Sequence, residues 1–507
     1  MQNSKTINSR NSNLHNNVHV YLIIASLVVG LLLRIWNLGS ESLRLDEAQS
    51  IWQASHSIEF IKEYMLKNVH LPLHNTLLHF WIEFFGTSEP AVRLLAVIPG
   101  MITLPFLYLL SKEILGKKGA LITLILASVS PFWVWYSREI RMYTLLTLVT
   151  TISYLFFVKI LKTGRFRYFI FYTAANLIGI YTHYFFFLVL LVQVLFFFYF
   201  WKRQWTEGNN INVNKKKLLA GFIISAVFTF AAFSPWVNAL YNSYGSGTLA
   251  PVLPKPTTFN LVLSFFEFVF GFLPVNFMGV LISFWPLITL FGFIFLTKRR
   301  SPFSKGFYLV ILGTFLPISL VYFVSIVYKP MYLTRYLMPA TPMFFIFISW
   351  YIVELRGKVK FLFILSYLVI IALAIHVQFT STENPARENY RDAVEYVTVN
   401  ATPRDIVIVS PPYIIYPFQY YYNGNTRVST MPIWNKKKGG IPQTTIERVQ
   451  NDTETLRRGH QRMFLVLTSG LEGSDLVKMY FDNSFTKLDK QQFSKDVWIH
   501  VYQGEYY

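Results

Sequence analysis

Long apolar runs are the feature of this sequence that most limits its fold. Eleven segments reach or approach the roughly 20 residues that an α-helix needs to cross a hydrocarbon core about 30 Å thick. Only 14% of the residues are charged, against roughly 25% in ordinary soluble proteins. The pattern predicts a polytopic α-helical membrane protein with about eleven transmembrane helices. The predicted spans are 20–38, 90–111, 119–136, 141–158, 168–182, 184–201, 218–240, 277–297, 306–328, 337–354 and 361–379.

The basic residues predict how the chain is oriented. Cytoplasmic connections between spans carry more Lys and Arg than the opposite ones. Alternate connections, beginning with the N-terminus, hold 21 such residues, and the other set holds 8. We therefore expect a cytoplasmic tail (1–19), a transmembrane module (20–379) and an extracytoplasmic domain (380–507) in a protein of the cell membrane. The net charge of +20 is assigned to topology and not to nucleic-acid binding.

The first span and the outer connections need separate interpretation. The span continues through Arg34 without a small-residue cleavage pattern, so we expect it to be retained and not removed as a signal peptide. Amphipathic stretches at 47–66 and 73–86 are typical of helices that lie on a membrane surface. The apolar segment 259–273 carries Glu267 and is too short to span easily, which predicts an interfacial or re-entrant helix.

The composition changes after residue 380. Strands at 406–409, 463–467 and 497–502 alternate with helices at 389–399 and 444–458, which predicts a small C-terminal α/β domain. No Gly-rich phosphate loop follows the first strand, so no nucleotide site is predicted. The chain has no cysteine, which excludes a disulfide framework, a thiolate metal site and cysteine catalysis.

Adjacent acidic residues, Asp46 and Glu47, follow the first span by a few residues. In one interpretation they are the solvated N-terminus of a helix, where the helix dipole favours negative charge. In the other, one carboxylate is a general base and its neighbour supports it or shares a metal, because close like charges raise one pKa. The residues alone leave both interpretations open.

A second charged cluster lies between the predicted third and fourth spans, in the segment 137–143. Arg138 and Arg141, three residues apart, are expected on one helical face, with Tyr143 following. In one interpretation their charged groups extend to the membrane interface and are paired there. In the other, their planar guanidinium groups bind a phosphate together.

Further polar residues fall on the same predicted outer side. Basic groups on this side need a local reason, and a lipid phosphate would supply one. Each histidine also has a purely structural alternative, and no His/Asp/Glu pair has the spacing of a helical metal site. The residues are His70, His74, His183, Lys329, Arg335 and Tyr336.

Several short motifs resemble one known family. They are Leu45-Asp46-Glu47-Ala48, His70-Leu71-Pro72-Leu73, the segment 130–143 with its Ser-Arg-Glu-Ile-Arg-Met-Tyr, Thr182-His183-Tyr184 and Arg335-Tyr336. In these motifs the chain resembles the bacterial protein O-mannosyltransferase-like glycosyltransferases. That group includes the dolichyl-phosphate-mannose protein mannosyltransferases and the aminoarabinose transferase of lipid A. The resemblance covers most of residues 20–350 and implies a C-type glycosyltransferase fold.

The resemblance also implies an activity and roles for the singled-out residues. The donor would be a sugar on a polyprenyl phosphate, transferred with inversion to a protein, lipid or glycan acceptor at the outer membrane face. Asp46 would be the base, supported by Glu47. Because the phosphate is already a good leaving group, a divalent cation held by Asp46 and Glu47 is optional. The residues implied in binding donor phosphate or substrate are Arg138, Arg141, Tyr143, His183, Lys329, Arg335, Tyr336 and His70.

Two alternatives from other classes stay open. A transporter or lipid-linked sugar flippase would also be polytopic, but it should carry ionisable or helix-breaking residues near the middle of several spans. Mid-span charges are few here. A non-catalytic membrane scaffold with a binding domain would give no function to four of the charged residues, namely Asp46, Glu47, Arg138 and Arg141.

Overall fold

The computed structural model describes most of the chain and divides it into two compact units. The described residues are 2–68, 70–202, 214–242, 253–283, 305–381, 388–437 and 440–505. The first unit comprises Met1–Trp36, Arg93–Ala239 and Val252–Phe379. The second comprises Asn37–Val92, Leu240–Pro251 and Thr380–Tyr507.

Helices dominate the chain up to residue 380. They are α1 (Gln2–Ile35), α2 (Leu45–Ala54), α3 (Ile58–Lys67), α4 (Leu73–Phe85), α5 (Glu89–Ser128), α6 (Pro131–Tyr136), α7 (Tyr143–Thr163), α8 (Phe166–Thr182), α9 (Phe186–Lys202), α10 (Lys215–Asn242), α11 (Thr258–Phe270), α12 (Val275–Ser283), α13 (Lys305–Val327), a 3-10 helix (Thr334–Ala340), α14 (Thr341–Glu354) and α15 (Gly357–Thr380).

The C-terminal segment alternates helices and strands. They are α16 (Tyr390–Asn400), β1 (Ile406–Ser410), a 3-10 turn (Pro412–Ile414), α17 (Ile415–Tyr421), β2 (Arg427–Thr430), α18 (Ile446–Arg457), β3 (His460–Thr468), α19 (Ser474–Ser484), β4 (Lys487–Gln492) and β5 (Val497–Glu505).

Seven helices among the described residues are long and apolar enough to cross a membrane. They are Asn17–Ile35, Glu89–Ser128, Tyr143–Thr163, Lys215–Asn242, Gly306–Val327, Thr334–Glu354 and Gly357–Thr380. The predicted class, a polytopic α-helical membrane protein, is confirmed. The predicted span 277–297 extends into residues 284–304, which lie outside the described part of the chain.

Helix α5 contains two of the predicted spans. Gly116 interrupts it with a φ of +75°, a conformation that favours glycine, so one helix ends and another begins there. The second of these helices ends at Ser128 and not at 136 as predicted. The reason is local: the Ser130 hydroxyl accepts a hydrogen bond from the Trp133 amide at 3.2 Å, and Pro131 begins the separate helix α6.

A buried arginine joins two parts of the first unit. Arg34, near the end of α1, is completely inaccessible to solvent. Its guanidinium donates to the carbonyl oxygens of Gly30 at 2.8 Å and Ser128 at 3.0 Å, and to the Ser137 hydroxyl at 3.1 Å. These bonds hold α1 against the chain on both sides of α6, because a buried cation must keep its acceptors.

The second unit contains a five-stranded mixed sheet in the order β2-β1-β3-β5-β4. Strand β1 pairs in parallel with β2 and β3, while β5 pairs antiparallel with β3 and β4. Every residue of β1 is buried, as expected for a central parallel strand covered on both faces. The predicted C-terminal α/β fold is confirmed, and the structure adds β2, β4, α17 and α19.

The first loop and the C-terminal segment form the second unit together. Helix α17 packs on α2, and the Tyr64 and Tyr416 hydroxyls lie 3.2 Å apart. The Leu43 amide donates to the Tyr421 hydroxyl at 2.7 Å. The predicted amphipathic stretch 47–66 is therefore two helices, α2 and α3, and part of α2 is covered by protein.

Candidate functional site

The acidic pair lies in the first turn of α2. The Oε2 atom of Glu47 accepts a hydrogen bond from the Arg44 amide at 3.0 Å, which satisfies one of the free N–H groups at the helix start. Glu47 is 1% exposed, whereas Asp46 is half-buried. Glu47 therefore caps the helix, whereas Asp46 keeps partial exposure to solvent.

A third carboxylate, Glu388, comes to the same helix end from far along the chain. Its Oε2 atom accepts from the Leu45 amide at 2.8 Å, and its Oε1 atom lies 3.8 Å from the Arg44 Nε. Burial raises the pKa of Glu388, and the charges of Asp46 and Glu47 raise it further, against the opposing effects of Arg44 and Leu45. The sequence offered no spacing signal for this partner, because more than 300 residues separate it from α2.

The helix end is acidic, but it is not a recognised metal centre. Among the described residues, no group of three or more histidine and acidic side chains is arranged to hold a metal ion. A cation held by Asp46 and Glu47 therefore stays a prediction from the sequence.

In the first unit, the structure brings together His183, Tyr143 and Tyr336. His183 ends α8, and its Nδ1 accepts a hydrogen bond from the Phe185 amide at 3.1 Å. The ring centroid of His183 lies 6.3 Å from that of Tyr143 and 5.5 Å from that of Tyr336. With Nδ1 accepting, the neutral ring carries its proton on Nε2, where it is able to donate to a ligand.

Arg335 belongs to the same neighbourhood. Its guanidinium carbon lies 5.7 Å from the centroid of the Tyr336 ring. The ring of Tyr136, on α6, lies 5.2 Å from the ring of Tyr143. The rings of Tyr136, Tyr143, His183 and Tyr336 thus form a series of contacts from α6 and α7 to the 3-10 helix.

Helix α11 holds this neighbourhood from one side. The Ser264 hydroxyl lies 2.9 Å from the Thr334 hydroxyl and accepts a hydrogen bond from the Tyr332 hydroxyl at 3.0 Å. These bonds fix the start of the 3-10 helix that carries Arg335 and Tyr336. Glu267, which the sequence marked only as an oddity in an apolar segment, lies on the same helix.

The Arg138 and Arg141 pair differs from the expectation. Residues 137–142 form turns and bends, so the two arginines do not share a helical face. Arg138 donates from Nη1 to the carbonyl oxygen of Trp36 at 2.7 Å, and its guanidinium lies 4.7 Å from the Phe379 ring centroid. The helical interpretation was wrong because the backbone leaves the helix after α6, and Arg138 closes the carboxyl end of α1 instead.

Of the remaining predicted residues, Lys329 and His70 are exposed and His74 is buried. Lys329 is exposed just after α13, six residues before Arg335. His70 is exposed after α3, and its amide donates to the Met65 carbonyl at 2.9 Å. His74, in the first turn of α4, is 7% exposed. Asp46, Glu47 and His70 belong to the second unit, and the other residues predicted to bind donor phosphate or substrate belong to the first.

Comparison with known proteins agrees with this architecture. Residues 69–237 match the family model described as dolichyl-phosphate-mannose-protein mannosyltransferase. No curated protein sequence matches the chain. The resemblance drawn from the sequence motifs is confirmed by the family match.

Solved structures show the same fold over nearly the whole chain. ArnT from Cupriavidus metallidurans in the apo state is 14% identical, with a TM-score of 0.59, over 96% of this chain and 98% of that one. The same protein bound to undecaprenyl phosphate gives a TM-score of 0.54 at 14% identity over 95% and 97% of the two chains. The Archaeoglobus fulgidus oligosaccharyltransferase in the apo form gives 0.50 at 12% identity over 88% and 69%. The protein is a multi-pass membrane protein with the C-type glycosyltransferase fold.

Proposed function

We propose that this protein is a membrane glycosyltransferase that moves a sugar from a polyprenyl phosphate to an acceptor hydroxyl. The observation that carries the proposal is the start of α2, where the half-buried Asp46 lies beside the buried Glu47 and the partly exposed Glu388. The similar fold of ArnT, one structure of which binds undecaprenyl phosphate, supports the choice of donor carrier. We assign the reaction to the outer face of the membrane, with the N-terminus in the cytoplasm.

The proposed chemistry is a single displacement with inversion. Asp46 takes the proton of the acceptor hydroxyl as its oxygen forms a bond to the anomeric carbon of the donor sugar. The bond from that carbon to the phosphate oxygen breaks on the opposite face, and its electron pair leaves with the polyprenyl phosphate. One base and one set of cations are sufficient for this reaction.

The leaving phosphate is assigned to a set of basic, histidine and tyrosine side chains. Arg335 provides a guanidinium suited to two phosphate oxygens, and His183 provides a donor at Nε2. Tyr143 and Tyr336 support these two side chains and contribute to the substrate surface. Arg138, Arg141, Lys329 and His70 complete the proposed set, and Arg138 also closes the end of α1.

The test is a transfer assay in proteoliposomes. A panel of radiolabelled polyprenyl-phosphate sugars is supplied with a host membrane extract as acceptor, and wild type is compared with Asp46→Asn. Loss of a general base predicts a fall in transfer of at least about 100-fold, with donor binding unchanged. Arg335→Ala is expected to weaken donor binding about tenfold, which corresponds to one lost charged contact.

A matched control separates catalysis from loss of charge. Glu59→Gln removes one exposed carboxylate from the neighbouring helix α3 and is expected to transfer at the wild-type rate. If Asp46→Asn keeps wild-type turnover on a verified substrate, the base assignment is wrong. If labelled donor crosses the bilayer without transfer in wild type and Asp46→Asn alike, the flippase alternative replaces the proposal.

A further inference from the structure

The C-terminal sheet contains a cavity that the proposed reaction does not use. It holds about 260 Å³ of space between α19 and one face of the sheet. Leu467 of β3 and Trp498 and His500 of β5 form its floor, and Ser474 and Lys478 of α19 form its roof. A cavity of this size between a helix and a sheet is suited to a small ligand and not to an extended chain.

Two lysines give the cavity a positive side. The Nζ atom of Lys490, on β4, lies 4.3 Å from the centroid of the Trp498 ring, so this ammonium is held at the aromatic wall. Lys478 lies on α19, where its Nζ is 3.0 Å from Asp482. The N-terminus of α19 begins at Ser474, also in the lining, and adds its partial positive charge.

His500 supplies a buried polar atom that lacks a partner. The residue is 1% exposed and lines the cavity, and its Nδ1 has no hydrogen-bond partner among the described residues. Burial and, after it, the positive charge of Lys487 lower the pKa of His500 to about 4, so the ring is neutral at pH 7. A buried polar atom without a partner is costly, and a ligand hydroxyl would satisfy it.

The lining also contains an acidic acceptor. Asp475, exposed in the first turn of α19, contributes a carboxylate to the same cavity as the two lysines. A bare anion gains nothing from this carboxylate or from the Trp498 ring. A sugar does, because its hydroxyls donate to carboxylate and imidazole acceptors and its C–H faces pack on an aromatic wall.

We propose that this cavity binds a single saccharide unit carrying an anionic group, either a carboxylate or a phosphate. Lys478 and Lys490 bind the anionic group, His500 and Asp475 bind hydroxyls, and Trp498 packs on the ring. Resting on the proposed glycosyl transfer, the assignment makes an acidic glycan the acceptor that this part of the chain recognises.

The test measures binding to the full-length chain in detergent by saturation-transfer difference NMR. The probes are glucuronic acid, glucose 6-phosphate and glucose, while inorganic phosphate, which has no observable proton, is measured by its displacement of the bound acidic sugar. We expect one or both acidic sugars to bind with a Kd on the order of 1 mM, at least about tenfold more tightly than glucose or inorganic phosphate. Lys490→Met is expected to weaken that binding at least about fivefold, while Lys495→Met, at an exposed lysine outside the lining, leaves it unchanged.

Each opposite result overturns the inference. If glucose binds as tightly as the acidic sugars, the ligand does not need an anionic group. If inorganic phosphate binds as tightly, the ligand does not need a sugar ring. An unchanged Kd in both Lys490→Met and a second variant, Trp498→Leu, with normal amide exchange in β5, shows that the ligand binds elsewhere. Binding is measured without transfer, so the Asp46→Asn variant must still bind. The inference therefore stands if only the transfer assay fails, and it falls if only this binding fails.

Discussion

Asp405, just before β1, carries a buried carboxylate that is paired with an arginine. Its side chain is fully buried, and it accepts hydrogen bonds from Arg462 at 2.8 and 3.1 Å and from the Thr402 amide at 2.7 Å. Burial alone would raise the pKa of Asp405, but the bonds from Arg462 and Thr402 outweigh it and hold the pKa below its ordinary value. The ionised form therefore contributes to stability at neutral pH.

We predict that Arg462→Met destabilises the sheet by about 2 kcal/mol at pH 7. This is less than the usual cost of breaking a fully buried pair, because the Arg462 side chain is 35% exposed. A carboxylate with a depressed folded pKa stabilises above its unfolded pKa and loses that contribution as pH falls through the folded value. The variant should therefore lose protection at a higher pH than wild type. Amide exchange in β1, corrected for its intrinsic pH dependence, measures both effects.

The control for this experiment is Arg427→Met, on the edge strand β2, where the arginine is exposed. It removes the same charge from the same sheet without touching Asp405. Equal losses of amide protection in the two variants would show that the net charge of the sheet, and not the pair of Asp405 with Arg462, determines how stability changes with pH.

At the scale of elements, two glycines allow a matched comparison of helix ends. Gly116 inside α5 and Gly271 after α11 have φ values of +75° and +71°. A Cβ on Gly116 meets nothing within 4 Å, whereas one on Gly271 meets the Gln378 side chain and lies 2.8 Å from the Pro131 Cβ. The Gln378 amide bridges the Phe272 amide and the Pro131 carbonyl, so it has little freedom to move.

We predict that Gly271→Ala costs more stability than Gly116→Ala. Both substitutions place a side chain at positive φ, at a cost of about 1–2 kcal/mol. Only Gly271→Ala adds overlap with packed atoms, so its thermal midpoint in detergent should be the lower of the two. Equal thermal midpoints in the two variants would mean that the Gln378 side chain moves away from the added methyl group at no cost in free energy.

The sequence predicts the elements unequally, and the reason is physical. The strands β1, β3 and β5 are apolar because they are largely buried, and the spans are apolar because a helix that crosses a membrane faces hydrocarbon, so hydropathy detects both. Strand β4 (Lys487–Gln492) is an exposed, polar edge and carries no such signal. The break before α6 was marked by Ser130-Pro131, a helix-start pattern that the apolar run concealed.

The candidate site shows the same division. Asp46, His183 and Arg335 could be singled out because polar residues stand out beside apolar spans. Glu388 and the contact of Arg138 with Trp36 depend on residues distant in sequence, and no local pattern encodes them. Only the geometry of α2 distinguishes the half-buried Asp46 from Glu47, which caps the helix.

At the scale of the whole molecule, Arg391 joins the first loop to the C-terminal segment within the second unit. Its Nη1 donates to the Ser40 carbonyl at 3.0 Å and its Nη2 to the Gly39 carbonyl at 2.9 Å, and it forms an ion pair with Glu89. Tyr421 donates to the same Glu89 carboxylate. One guanidinium of the C-terminal segment therefore binds both backbone carbonyls and a carboxylate of the first loop, which is remote from it in sequence.

We predict that Arg391→Lys loosens this connection, because a single ammonium does not reproduce the planar fork of donors. Amide exchange in residues 39–45 should increase about fivefold or more, equivalent to about 1 kcal/mol. The matched variant Arg427→Lys should leave exchange in 39–45 unchanged. Unchanged exchange in Arg391→Lys would assign the connection to Tyr421 and the packing of α17 on α2.

The composition of the second unit has a consequence for how the protein is made. Its first part, residues 37–92, is synthesised before the intervening transmembrane residues 93–379, and its last part follows them. At about 5–20 residues per second, these roughly 290 residues take about 15–60 s to synthesise. During that time the segment that covers α2 has not yet been synthesised. Glu89 therefore lacks its ion pair with Arg391, and Tyr64 lacks its contact with Tyr416. The acidic end of α2 is therefore completed only when the last quarter of the chain has been synthesised.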